Sequence, residues 1–328
     1  MLLRIFQSNR LYVLILIPLA GLILWYKSLF SLYISEFSFD SCQMPLYYLI
    51  ANILKGKILI SVSISFVLLV IHAFLLIRLN TKFIFIKKRT YLPALFFILI
   101  SGSFLPLQRL TPVIFASLLL LFAIEKIFNS YKKAGLSYNY FDAAFLISLG
   151  TLFYFNMIFY LLIIWIGLII FRPFNWREWI ISFLGFICPY IFVISYYYLF
   201  EGTLKNFLTT LINNFSPVNY LSSLSLSYYL FYSFLLFLIL ISSYYMIKIF
   251  PKKKINTRKY FIFFLWLFLI TLIVYFVLPS TSIELLVILS IPVSYIISHY
   301  FDSIKSTWWS EALFILFVGF LCFIQIYN

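Results

Sequence analysis

Acidic residues are scarce in this chain: nine Asp and Glu in 328 residues, against twenty-four Lys and Arg. Charge of either sign makes up only 10% of it, while 65% is hydrophobic and the mean hydropathy is +1.08. No water-exposed surface can be assembled from so few polar groups, which excludes a soluble globular fold. Cysteine is almost missing. Cys42, Cys188 and Cys322 stand far apart without CxxC spacing, which excludes a disulfide framework and a zinc site. Neither a GxGxxG nor a Walker sequence occurs, so the chain hydrolyses no nucleotide by itself. A net charge of +15 would raise the question of nucleic acid in a soluble protein. Here the basic residues sit in short loops between apolar runs, none large enough for a nucleic-acid module. They serve topology and anionic head groups, so membrane lipids are the expected partners and nucleic acid is excluded.

What is present is a series of apolar runs. A hydrocarbon core of about 30 Å takes about 20 helical residues to cross. With that ruler the runs fall at 11–27, 58–79, 91–108, 112–129, 142–155, 157–172, 179–200, 226–249, 260–278, 283–299 and 311–327. The basic segment before the first run has the look of a secretory signal, but no small-x-small cleavage site follows and it is read as the first span. The expectation is a single all-α domain over 1–328, a polytopic transmembrane helical bundle of about eleven spans.

The fifth and sixth runs form either a tight hairpin turning near Tyr154, Phe155 and Asn156 or one long tilted helix. Charge decides between them. With eleven spans, a cytoplasmic amino terminus and a carboxy terminus outside, nineteen of the twenty-four basic residues lie on the inner side. Only Lys27, Lys55, Lys57, Arg109 and Lys205 fall outside. Merging the two runs would carry the cluster Lys252 to Lys254 outward, so the hairpin is favoured.

Two outer segments are long enough to act. Residues 28–57 hold Glu36, Asp40 and Met44-Pro45-Leu46-Tyr47-Tyr48, followed by an apolar stretch suited to a short interfacial helix before Lys55-Gly56-Lys57. Residues 201–225 hold Lys205, Asn213, Asn214 and Pro217.

The membrane midplane is nearly empty of ionisable groups. His72 is the one well inside a run, and a hydrogen bond to a neighbouring carbonyl accounts for it, since a proton relay needs partners. Ion coupling is disfavoured accordingly. Arg109, in an outer turn between Pro106 and Pro112, opposes the positive-inside bias. It reads either as a bidentate phosphate ligand or as a loop arginine neutralised by a lipid head group. Glu36 and Asp40 read as an ordinary polar loop, or as a general base or divalent-cation ligands beside a membrane-embedded phosphate. No other cofactor and no protein metal site is called for. Glu284 reads as a rim residue. On the inner side, the aromatic and charged segment 171–179 anchors helices at head-group level or docks a membrane-protein partner.

One span, an acidic outer loop, then Pro45-Leu46-Tyr47-Tyr48-Leu49-Ile50 and a span entering a basic inner loop resemble the start of the GT-C glycosyltransferases. Those enzymes include the protein mannosyltransferases and the aminoarabinose lipid A transferases, and their first outer loop often reads PPLYY; Met44 departs from that pattern. The outer Arg109 before the fourth span and the short hairpin ending in basic residues are also similar. The likeness covers roughly the first 200 residues and is one of scaffold before function. It implies transfer of a sugar from a polyprenyl-phosphate donor at the outer leaflet. Asp40 would be the base and Glu36 its runner-up. Arg109 and Lys205 would neutralise the leaving phosphate, with Tyr47 and Tyr48 beside the lipid. The chain as a whole is similar to a family of bacterial multi-pass proteins with no activity attached, which implies the bacterial inner membrane. The rival expectations are a non-enzymatic subunit or scaffold of an envelope assembly and, third, a lipid or small-molecule transporter.

Overall fold

A computed structural model describes residues 2–7, 10–30, 43–86, 90–131, 138–201, 204–215, 226–278, 280–304 and 307–327. Every regular element among them is helical. In chain order these are α1 (Leu2–Gln7), α2 (Tyr12–Leu24), α3 (Tyr26–Phe30), α4 (Pro45–Leu54), α5 (Ile58–Phe83), α6 (Leu92–Ser101), α7 (Pro112–Asn129) and α8 (Tyr138–Thr151). Then follow α9 (Leu161–Phe171), α10 (Trp176–Tyr196), α11 (Leu204–Asn213), α12 (Leu226–Ile249), α13 (Ile255–Val277), α14 (Leu285–Ser303) and α15 (Thr307–Tyr327). Seven of them are long and apolar enough to cross a membrane: α5, α7, α10 with its π-helical continuation Tyr197–Glu201, α12, α13, α14 and α15. This is the architecture of a multi-pass membrane protein.

Local chemistry sets the breaks. Pro45, Pro93 and Pro112 stand in the first turns of α4, α6 and α7, where a missing N–H costs nothing and the fixed φ suits a helix. The expected helix before Lys55-Gly56-Lys57 forms as α4, and Gly56 at φ +79° makes the turn that separates it from α5. The end of α5 is less comfortable. Ile84 takes φ 53°, and its amide donates to the Asn80 carbonyl at 2.9 Å. The segment 201–225 contains α11, whereas 216–225 lies outside the described residues.

The bundle is layered. All ten residues of α6 are buried, and most of α14 with them, so these two helices form a centre screened by others. At ten residues, α6 spans about 15 Å, half a hydrocarbon core. Its apolar sequence meets protein, and an apolar run reads the same whether its neighbour is a lipid or a helix. The outer layer carries exposed apolar side chains, such as Phe192 on α10, Leu240 on α12, Phe276 on α13 and Ile315 on α15.

Between α8 and α9 the chain reverses through a 3-10 turn at Phe155–Tyr160. Arg172, closing α9, donates from Nη2 to the Ser130 carbonyl at 3.2 Å and lies 5.8 Å from the Tyr140 ring, so the chain has returned to the level at which α7 ends and α8 begins. With α9 running back, α10 runs alongside α8 in the same direction, Gly185 against Phe141 and Tyr190 against Thr151. A Cβ on Gly185 would lie 2.5 Å from the Phe141 carbonyl oxygen, so only glycine permits this approach.

The end at which α5, α7 and α9 finish is the basic end. Phe83, Phe85, Phe128, Phe171, Tyr260 and Tyr295 interlock there, mostly edge to face. Around them, Glu125 accepts from Arg78 at 3.1 Å and from Lys82 at 2.7 Å, Asp142 accepts from Lys126 at 2.7 Å, and Glu178 accepts from Arg172 at 2.5 Å.

Candidate functional site

At the opposite end, the turn between α6 and α7 carries Arg109. Its backbone is fastened on three sides. Gln108 donates from Nε2 to the carbonyls of Gly102 (2.8 Å) and Leu24 (3.2 Å), and its Oε1 accepts from Ser28 Oγ at 2.6 Å. Ser65 of α5 donates to the Arg109 carbonyl at 2.9 Å, and Tyr47 of α4 donates to the Leu110 carbonyl at 2.9 Å. Gln108 is 1% exposed, so each of these bonds replaces one that water cannot supply. The result is a half-buried arginine on a turn tied to α2, α3, α4 and α5.

Beside this turn lies a small polar pocket with room for about one water. Met44, Tyr154, Asn156, Asn214 and Ser280 line it, with Phe153 and Phe155. Asn156 donates to the Tyr154 hydroxyl at 3.1 Å and accepts from Ser280 at 3.4 Å; Asn214 donates to Met44 Sδ at 3.6 Å. Phe155 meets Phe215 edge to face at 4.8 Å, which seats the segment after α11 on the α8–α9 turn.

The residues singled out from sequence do not gather in one place. Arg109 and Tyr47 come together at the turn. Lys205 is exposed near the start of α11, about 14 Å along that helix from Asn214, which reaches the pocket. Tyr48 is 54% exposed and faces away from the bundle. Asp40 and Glu36 lie outside the described residues. Glu284 stands at the head of α14, the rim position expected for it, and is buried there at 0% exposure. Gln108 and Ser280 were not singled out from the sequence, and Asn156 and Asn214 were read only as residues of a turn and of an outer segment. Gln108 and Asn156, isolated polar residues within apolar stretches, were the available signal.

His72 is structural. Its Nδ1 donates to the Leu68 carbonyl at 2.7 Å, its Nε2 meets Ser117 Oγ at 2.9 Å, and the ring stacks on Phe97. Both nitrogens are satisfied within the protein, as the sequence implied. At the basic end, Phe174 and Trp176 of the 171–179 segment are exposed, while Arg172 and Glu178 are turned inward as an ion pair. Among the described residues no three His, Cys, Asp or Glu side chains gather as a metal set.

A third feature opens at the end that holds Arg109. Helices α12 and α13 both pack on α14 but hardly on each other, leaving a cleft of about 280 Å³ whose lining is apolar apart from the hydroxyls of Tyr229, Tyr232, Tyr275 and Thr271. The α13–α14 turn joins it to the polar pocket, since Ser280 belongs to the pocket and Ile283 to the cleft.

No curated protein and no solved structure matches the chain. Residues 26–328 match the family of unknown function DUF6427, and the chain belongs to that family.

Proposed function

We propose that the protein is a multi-pass protein of the bacterial inner membrane, crossing it about eleven times with its amino terminus in the cytoplasm, and that it acts at the outer face as a GT-C-like transferase. Its substrate in this reading is a sugar on polyprenyl phosphate. The observation that carries the reading is the Arg109 turn: a guanidinium on a backbone held by Gln108, Ser65 and Tyr47, at the end where cations are few. A guanidinium carried on a fixed backbone can pair bidentately with the oxygens of a leaving phosphate as charge develops there. In the reaction, the acceptor hydroxyl attacks the sugar carbon and its proton passes to Asp40, with Glu36 as the runner-up base. The bond to phosphate breaks, and polyprenyl phosphate leaves against Arg109, with Lys205 as a second cation. The test is sugar transfer in vesicles from a radiolabelled polyprenyl-phosphate sugar. Asp40→Asn and Arg109→Gln should each lose about 100-fold or more, and Arg109→Lys should recover part of the loss. Full activity of Asp40→Asn at normal expression removes the base.

A second reading, a non-enzymatic subunit of an envelope assembly, is favoured by one observation. Glu125, Asp142 and Glu178 are all engaged in ion pairs at the basic end, away from the Arg109 turn. In that case Asp40→Asn is silent, and loss of the protein destabilises a co-purifying membrane partner.

A further inference from the structure

We infer that the cleft between α12 and α13 holds one acyl chain of a phospholipid from the leaflet on the Arg109 side. The inference does not rest on the transferase reading. Near the basic end the two helices are joined by the short turn Phe250–Lys252, and from there they separate with α14 as the floor. Leu235, Ile239, Ile283 and Leu285 make the inner wall, while Leu236 and Phe276 stand exposed at the mouth. The mouth therefore opens sideways, through the apolar outer surface of the bundle, where the bilayer lies. Protein interiors close-pack because a gap forfeits dispersion contacts on every lining atom. Two helices that stay apart over apolar walls leave that loss standing unless something apolar fills the space.

Size and polarity select the filler. On α12 the lining runs from Tyr229 to Ile239, a rise of about 15 Å, which is one leaflet of a hydrocarbon core about 30 Å thick. The mouth opens into the bilayer, so the groups that meet it are lipid chains, and the depth of the lining selects among them. A single unbranched chain of leaflet length matches that rise. A polyprenyl chain, longer than one leaflet and branched by methyl groups, matches that depth less well.

The Tyr232 hydroxyl supplies the polar counterpart. It is buried and has no hydrogen-bond partner, a costly state in an apolar surround. Helical side chains lean toward the amino-terminal end, which carries this hydroxyl toward the head of α12, at the depth of the ester groups. An ester carbonyl there accepts from it.

The experiment uses the full-length protein in vesicles of phosphatidylethanolamine and phosphatidylglycerol, doped with a phospholipid bearing a photoreactive diazirine on one acyl chain. Peptide mapping should place the crosslinks on α12, α13 and the start of α14, above the level on the lipid-facing surfaces of α10 and α15. Leu272→Trp fills the cleft and should lower that labelling about tenfold, the equivalent of about 1.4 kcal/mol of binding. Leu240→Trp, on the exposed face of the same α12, should leave it unchanged, and both variants are compared at equal monodisperse yield. Tyr232→Phe should weaken labelling less than Leu272→Trp. Even labelling over all outer helices, unaltered by Leu272→Trp, overturns the site. Labelling in the cleft by a polyprenyl-phosphate diazirine in preference to the phospholipid probe overturns the occupant.

Discussion

At position 108 an amide side chain makes three hydrogen bonds in a site closed to water, and they join the end of α2, the start of α3 and the α6–α7 turn. Gln108→Leu keeps the volume and deletes all three, leaving the Leu24 and Gly102 carbonyls and the Ser28 hydroxyl to find other partners. The expected cost is about 3 kcal/mol, measured as a lower unfolding midpoint in detergent. An unchanged midpoint would show that the turn is held some other way. Ile84 makes the opposite case. A β-branched residue at φ 53° is strained, and its side chain is 61% exposed, so little packing is lost on removing it. Ile84→Gly should therefore stabilise by about 1 kcal/mol; a destabilised variant would mean that the αL turn is not a source of strain. Neither role is visible in the sequence. The peculiarity of Arg109 was legible because it breaks a charge rule that acts over the whole chain. Gln108 does its work through partners up to 84 positions away, and no local pattern records them.

At the scale of elements, the α8–α9 reversal was legible because helix direction decides on which side every later charge falls. The shortness of α6 was not, because burial by neighbouring helices leaves no trace in an apolar run. The ion pairs of the basic end are similar: Arg78 and Lys82 on α5 could be read as cations, but not their shared Glu125 on α7. Two tests address how these helices are joined. Gly185→Ala puts a methyl 2.5 Å from the Phe141 carbonyl oxygen, so α10 must move away from α8. A loss of about 2 kcal/mol or more is expected, whereas Gly319→Ala on α15, which meets nothing within 4 Å, should be neutral. Equal behaviour of the two would contradict the close α8–α10 approach. In the other test, Glu178→Gln leaves the Arg172 guanidinium, 11% exposed, without its carboxylate at the α9–α10 turn. Breaking one side of a buried pair costs about 3–5 kcal/mol, and the double variant Arg172→Met/Glu178→Met should lose less than Glu178→Gln alone.

For the molecule as a whole, the end that faces the cytoplasm has the most consequence, because it decides whether the Arg109 turn and the α12–α13 cleft meet the outer or the inner leaflet. Positive charge argues that the basic end is cytoplasmic, since the translocation machinery retains Lys and Arg on that side. The argument is testable residue by residue because both ends offer exposed basic positions. Cys42, Cys188 and Cys322 are first replaced by Ser, and single cysteines are then introduced as Lys55→Cys and Lys205→Cys at one end and as Arg177→Cys and Lys254→Cys at the other. A membrane-impermeant thiol reagent applied to intact cells should label positions 55 and 205 at once, and positions 177 and 254 only after permeabilisation. The reverse pattern would put the turn and the cleft in the cytoplasmic leaflet. It would end the outer-face transferase reading while leaving the acyl-chain site to be tested in the other leaflet. A mixed pattern, with 55 and 205 on different sides, would instead show that the segment between α4 and α11 crosses the membrane an odd number of times. That outcome is incompatible with the contact between Met44 and Asn214, which binds the start of α4 to the end of α11 at one level of the bundle.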